Sequence, residues 1–350
     1  MKIAQVAPLI ESVPPKLYGG TERIVAYLTE ELVRLGHDVT LFASGDSQTS
    51  AKLVPSVPRA LRLDPDVKDY APYMITQLEH VRQRADEFDI IHFHSDFMHL
   101  PLVRALMNGR AITTMHGRLD LPDYQPLFAE FADAPLVSIS DHQRQPLASA
   151  HWLGTVYHGL PATVCRYTTK PQGDYFAFLG RISPEKRPDR AIEIARRAGV
   201  KLKIAAKVDI ADEAYFRTHI EPLLSQSHVE FIGEIDEIQK SDFLGNAQAL
   251  LFPIDWPEPF GLVMIEAMSC GTPCIAWRAG SVPEVVEHGV TGFIVDSIDG
   301  AVDAVQRVSM LDRAAVRARF EQRFSAERMT KDYLALYERL LGQQRDREAA

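Results

Sequence analysis

Cysteine is scarce: Cys165, Cys270 and Cys274 are the only three in 350 residues. That is too few for a disulfide framework, and it points to a reducing, cytoplasmic setting. Cys270 and Cys274 stand four apart with no second Cys or His pair beside them in sequence, which favours two small packed residues near a helix end over zinc. Long apolar runs are also missing. Nothing approaches the about 18 consecutive apolar residues that a membrane span needs. The N-terminal run Met1–Pro8 is too short for a signal peptide and reads as a first strand. Basic charge is in deficit, with 38 Lys and Arg against 47 Asp and Glu and a net charge of −9. Both halves of the chain about Cys165 are acidic, so nucleic acid is not an expected partner. The chain has no G-x-G-x-x-G, which counts against a dinucleotide-binding first domain, and it has no short-period repeat and no low-complexity tract.

What is present suits a soluble globular protein: 46% hydrophobic and 24% charged residues over a length that fits two α/β domains of about 150–175 residues each. Lys2–Ala7 reads as a buried strand, followed by a loop with Pro14, Pro15 and Gly19-Gly20. A helical period then runs from about Thr21 to Leu35, with Thr21 as its N-cap and Gly36 as its stop. Asp38–Ala43 is a second strand, which completes a βαβ unit. Asp89–His94, Ala111–Met115 and Leu136–Ser140 are further strands, and Pro101–Met107 is helical. The stretch Ala162–Gly173 reads as a linker. The pattern restarts with a strand at Tyr175–Leu179, a polar loop from Gly180, and a helix from Pro188 to Ala198 closed by Gly199. Lys201–Ala206, Val229–Ile232, Ala249–Pro253, Pro273–Ala276 and Gly292–Val295 follow as strands. Two open parallel sheets are expected to face one another across a cleft, with ligands at the carboxyl ends of their strands.

The strongest chemical signal runs from Glu258 through Pro259, Phe260 and Gly261 to Glu266 and on to Pro273. A helix over Leu262–Ser269 would aim the amides of Phe260, Gly261 and Leu262 at an anion. Glu258 and Glu266 would flank that pocket and accept hydrogen bonds from sugar hydroxyls. Taken singly, Glu258 reads rather as a solvated loop acid and Glu266 as an ordinary exposed helix residue. Arg181 and Lys186 leave the end of a strand and could offset a diphosphate's charge without a metal. Arg187 and Arg190 read as solvated. Gly19-Gly20 would allow a close backbone approach to a ligand, although any tight turn uses such a pair. His116 ends a strand, where a histidine can be a bystander or a ligand contact. His92, His94, Asp96 and His99 resemble a metal cluster but lack a further ligand, and Asp64-Pro-Asp66 has no strand ahead of it; no metal is expected at either. Arg313, Arg317, Arg319 and Arg323 could meet anionic lipid, but a solvated helix face is the preferred reading.

These residues together resemble the family-4 glycosyltransferases, retaining enzymes of the GT-B fold. The likeness rests on Gly19-Gly20-Thr21-Glu22-Arg23, His116-Gly117, Ser138–Gln143, Gly180-Arg181 with Lys186, the Glu258/Glu266 pair and Gly280–Glu284. It implies two doubly wound Rossmann-like domains, an acceptor-side domain over 1–165 and a nucleotide-sugar domain over 166–325. A final helix at about 326–345 would cross back onto the first. It further implies that Arg181 and Lys186 bind the donor diphosphate, with Lys186 stabilising the leaving charge. Glu258 would contact the donor sugar with the Phe260 and Gly261 amides, and Leu262 would extend that amide site. Glu266 would hold the ribose, Ile232 and the loop after it the base, and His116 the sugar near its reacting carbon. Gly19 and Gly20 would approach the phosphates or the acceptor.

Arg187 departs from the glycine common at its position, Ser281 from a second glycine, and His158 from an asparagine. The expected activity is metal-independent hexosyl transfer with retention, without a cofactor, from a UDP-sugar such as UDP-glucose to a carbohydrate, lipid or small-molecule hydroxyl. The expected place is the cytoplasm, with peripheral contact at the inner membrane face left open. A sugar phosphorylase or sugar-phosphate synthase on the same fold is the nearest alternative, and a non-catalytic two-domain sugar-binding protein a more distant one.

Overall fold

The computed structural model describes residues 1–16, 19–106 and 109–349. The chain forms two compact units, one made of residues 1–159 with 326–350 and the other of residues 160–325. In chain order the first contains β1 (Lys2–Val6), α1 (Gly20–Arg34), β2 (Asp38–Ser44), β3 (Lys52–Val57), α2 (Ala71–Gln83) and β4 (Ile90–Phe93). It continues with α3 (Leu100–Leu106), β5 (Ala111–Thr114), α4 (Tyr124–Glu130), β6 (Leu136–Ser138), α5 (Asp141–Arg144) and β7 (Trp152–Thr155). The second unit runs through β8 (Tyr175–Arg181), α6 (Pro188–Ala198), β9 (Lys201–Lys207), α7 (Glu213–Tyr215), β10 (Val229–Gly233), α8 (Glu237–Gly245) and β11 (Leu250–Phe252). It then adds α9 (Leu262–Ser269), β12 (Cys274–Trp277), α10 (Val282–Val285), β13 (Gly292–Val295), α11 (Ile298–Arg307) and α12 (Arg313–Arg323). The last helix, α13 (Ala326–Ala349), returns to the first unit.

Each unit is an open parallel sheet. The first orders its strands β3-β2-β1-β4-β5-β6-β7 and the second β10-β9-β8-β11-β12-β13. In both, the winding direction reverses once, between β1 and β4 and between β8 and β11, and the carboxyl ends beside such a reversal diverge to leave a crevice. This is the two-Rossmann-like GT-B arrangement. Buried apolar runs hold the sheets: Ala4, Val6, Phe42, Ile91 and Phe93 pack with Val81 and Phe88 in the first unit. In the second, Phe176, Phe178, Leu202, Ile204, Leu251 and Ile275 pack under Ile192 and Ala195 of α6.

Several boundaries differ from expectation. Helix α1 begins at Gly20, with Gly19 as its N-cap and no side-chain cap, so Thr21 lies inside the first turn. Strand β6 stops at Ser138 because Ser140 leaves the ladder to cap α5, its hydroxyl accepting from the Gln143 amide at 3.0 Å. Strand β8 runs through Gly180 to Arg181 rather than ending before them. Met107, assigned to a helix, lies outside the described residues. Residues 162–173 form a strap on the second unit: the Thr168 amide donates to Cys270 O at 3.0 Å and the Gly173 amide to Asn246 O at 3.1 Å. Arg313 clamps the same strap, donating to the carbonyls of Thr168 at 2.8 Å, Ala247 at 3.1 Å and Gly245 at 2.8 Å. Arg317 reaches Ala162 O at 2.9 Å, Arg323 reaches Glu284 O at 2.6 Å, and Arg319 pairs with Glu287 at 2.9 Å. The expected solvated arginine face is therefore corrected. Carbonyls of the strap and of helix C-terminal turns recruit Arg313, Arg317 and Arg323, and Arg319 takes a carboxylate. Among the described residues no helix is long and apolar enough to cross a membrane.

Candidate active site

The reversal between β8 and β11 gathers the predicted donor residues of the second unit. β8 delivers Arg181 to its carboxyl end, and the turn after it carries Glu185 and Lys186. The chain leaving β11 carries Trp256, Glu258 and Phe260 into α9. Backbone and side chains stitch the two loops together. The Asp255 amide donates to Glu185 O at 2.8 Å, and Arg187 bridges Asp189 and Asp255 at 2.8 and 2.7 Å. Arg190 donates to Pro253 O at 3.1 Å and lies 4.2 Å from the Trp277 ring centroid. Arg187 and Arg190 are thus structural ties, not the solvated charges expected. Arg187 adopts φ 54°, a left-handed conformation that a glycine reaches without steric cost.

Glu258 and Glu266 are only 8% and 7% exposed, which removes the reading of either as a solvated acid. The Lys186 ammonium contacts the Glu258 carboxylate, which also accepts from the Trp256 indole at 3.0 Å. Lys186 Nζ stands 4.9 Å from the Trp256 ring centroid, a cation–π distance. Glu266, on the second turn of α9, pairs with Lys240 of α8 at 2.7 Å. Arg181 is held by Glu185 at 2.5 Å and Asp212 at 3.4 Å. Arg181 and Lys186, the two cations expected to meet a diphosphate, are thus each paired with a carboxylate.

The Glu258 loop is braced from behind. Ser281 donates its amide to Glu258 O at 3.0 Å and its hydroxyl to Phe260 O at 2.7 Å. A Cβ on Gly280 would overlap the Glu258 backbone. Gly261 takes φ 79° as the N-cap of α9, and Leu262 begins the helix. The first amides of α9 have no intrahelical acceptor, and the dipole adds positive potential there. Ile232 stands 38% exposed on β10, two strands from β8.

Gly19, Gly20 and His116 belong to the first unit. A Cβ on Gly19 would lie 2.7 Å from Pro15 Cβ, so the loop is closely packed there. Glu22 behind it is 5% exposed, and burial raises its carboxyl above the ordinary range. His116 joins a network at the carboxyl ends of β1, β4 and β5. His94 links His116 at 2.9 Å to Gln5 at 2.7 Å, and His92 joins Tyr337 and Thr114 at 2.7 Å each. Burial pushes His116 down to about 3 and His92 and His94 well below their usual value. Asp64 is bound to Arg59 at 2.9 Å. Among the described residues no three His, Cys, Asp or Glu side chains form a metal-binding group. Sequence reasoning did not find Trp256, Glu185, Lys240 or Gln5. Trp256 sits two residues from Glu258 and could have been noticed. Lys240 and Gln5 meet their partners only through the sheet topology.

Two family models match the chain, glycosyl transferases group 1 over residues 166–323 and glycosyltransferase family 4 over residues 18–154. The chain is 26% identical to N-acetyl-alpha-D-glucosaminyl L-malate synthase of Bacillus anthracis, over 91% of this chain and 93% of that protein. Among solved structures, the sucrose-phosphate synthase of Thermosynechococcus elongatus superposes with a TM-score of 0.75 at 18% identity, covering 98% of this chain and 100% of the other. Anabaena HepE in complex with UDP and glucose does so with a TM-score of 0.69 at 19% identity, covering 96% and 98%. At those identities the structures speak for the fold. Since one model matches each of the two Rossmann-like units, this enzyme belongs to the family-4 type of GT-B glycosyltransferases.

Proposed function

We propose that the enzyme moves a hexosyl group from a nucleotide-diphosphate sugar, UDP-glucose or a close analogue, to an acceptor hydroxyl, with retention and without a divalent metal. The observation that carries this reading is the Lys186–Glu258 contact beside the amino end of α9, at the topological reversal of the second sheet. The diphosphate takes the place of Glu258 beside Lys186, and Arg181 turns from Glu185 towards it. Glu258, freed from the ammonium, accepts from donor-sugar hydroxyls, and Glu266 accepts from the ribose diol. In the transfer step the bond from the sugar's anomeric carbon to the diphosphate oxygen breaks, and its electron pair stays on that oxygen. The acceptor hydroxyl attacks from the same face and passes its proton to the departing phosphate. Lys186 and the α9 amides stabilise the charge that develops there. UDP in the HepE complex supports the uridine choice, and the malate synthase relative supports a small hydroxylated acceptor.

A thermal-shift panel of nucleotide sugars in EDTA tests the donor, because a ligand bound only by the native form raises the melting temperature. Ligand at 100 times its Kd adds about 2.7 kcal/mol. UDP-sugars should give the largest shift, and stabilisation by NAD alone would defeat the reading. The fold of the sucrose-phosphate synthase favours one second reading, a sugar-phosphate synthase. Identification of a phosphorylated product would select it.

A further inference from the structure

The histidine network of the first unit has a direction. A neutral imidazole carries one N–H and one lone pair, so along a chain of neutral rings each hydrogen bond dictates the next. Gln5 lies on β1, and its amide nitrogen donates to the Tyr337 hydroxyl of α13 at 3.2 Å. That hydroxyl also lies 2.7 Å from His92 Nδ1, and His92 Nε2 lies 2.7 Å from Thr114 Oγ1. The Gln5 carbonyl is left as an acceptor, 2.7 Å from His94 Nε2, which must therefore carry the proton. His94 Nδ1 is then a lone pair and accepts at 2.9 Å from His116 Nε2–H. Among the described residues the buried His116 Nδ1 has no hydrogen-bond partner, and it is the end of the chain. The ring is held in place by its stack on His158, with centroids 5.3 Å apart and planes 15° apart.

We infer that Gln5 and His94 are positioning residues that fix His116 in its Nε2–H tautomer, so that Nδ1 offers a lone pair to a hydroxyl of the substrate. This deepens the proposed function and rests on its reading of His116 as a sugar contact. A lone pair in this position accepts a hydroxyl proton and repels a phosphate oxygen, so the group met by His116 is a sugar or acceptor O–H. Burial of both rings keeps them neutral at physiological pH, which the alternation requires. A buried acceptor without a donor is costly, and a ligand hydroxyl relieves that cost.

Nitrogen-15 NMR of the full chain labelled at histidine tests the assignment without substrate. The His116 resonances are identified by their loss in His116→Gln. The expected spectrum at pH 7 has His116 protonated at Nε2 and bare at Nδ1. In Gln5→Leu the constraint is gone, and His116 should become a mixture of both tautomers. A proton on Nδ1 in the wild type, or a His116 ratio unchanged in Gln5→Leu, would overturn the inference. Because the readout is a tautomer and not turnover, absence of glycosyl transfer would sink the functional reading while leaving this result intact.

Discussion

At the scale of single residues, the site is a set of charges whose partners in this structure are other side chains. Lys186 rests on Glu258, Glu266 on Lys240, and Arg181 on Glu185 and Asp212. These pairs keep buried and half-buried charges satisfied. In the proposed transfer, removing the ammonium alone would delete an interaction that strengthens as the leaving group departs. Lys186→Ala should lower kcat by about 10²–10³-fold with an unchanged far-ultraviolet circular dichroism spectrum. Activity near that of the wild type would remove Lys186 from the mechanism. Arg187 separates backbone cost from charge. Both Arg187→Ala and Arg187→Gly lose the ties to Asp189 and Asp255, but only Ala retains a Cβ at φ 54°. The Gly variant should be the more stable of the two by about 1 kcal/mol in urea unfolding. Equal stabilities would show that the left-handed turn carries no strain. The glycine that the family resemblance led one to expect at this position thus has a conformational reason, legible only once the turn is seen.

Among elements, the sequence was most informative where local signals agree with burial. Pro188 and Gly199 bound α6 as expected, and Leu262–Ser269 and Gly292–Val295 match α9 and β13. The first helix was displaced at its start because a glycine, not Thr21, makes the turn. Strand β3 went unread because it is a half-exposed edge with Pro55 inside it, so neither an apolar run nor a strict alternation marks it. Helix α8 escaped notice for a similar reason, since only Phe243, Leu244 and Gly245 are buried. Of the candidate site, the Lys186–Glu258 neighbourhood was legible from its motifs. The Lys240–Glu266 pair joins two helices and could not be inferred from spacing. The brace behind Glu258 was also hidden, because Gly280 and Ser281 reach it from after β12. A methyl group at Gly280 must displace the Glu258 backbone, and φ 54° adds strain. Gly280→Ala should weaken binding of the donor at least tenfold, read as the Kd of a UDP-sugar by calorimetry. A Kd within twofold of the wild type would mean that the loop yields without moving Glu258.

Over the whole molecule, the two units differ in what they bury. Arginines on carbonyls and carboxylates tie both, but the first alone holds a cluster of buried histidines among the described residues. His92, His94, His99, His116 and His158 are all buried or half-buried there. Desolvation depresses every one of them: His99 and His116 to about 3, the others well below the ordinary value. A histidine free in the unfolded chain takes up its proton near pH 6.5, and the folded one does so only at much lower pH. Between those values the unfolded state binds more protons, so stability falls as pH falls. The full contribution is present above pH 6.5 and is lost progressively below it. Each group removes about 1.4 kcal/mol per unit of pH in that window. At pH 5.5 the five together remove at most about 7 kcal/mol, comparable with the whole stability of a typical domain. Trp152 lies in the first unit, and Trp256 and Trp277 lie in the second. A Trp256→Phe, Trp277→Phe double variant therefore leaves one fluorescent reporter of the first unit. Its urea midpoint should drop steeply between pH 7.5 and pH 5.5. In the single-tryptophan chain, a midpoint that stays level across that range would mean the rings are not held neutral. The hydrogen-bond alternation that ends at His116 would then have no basis.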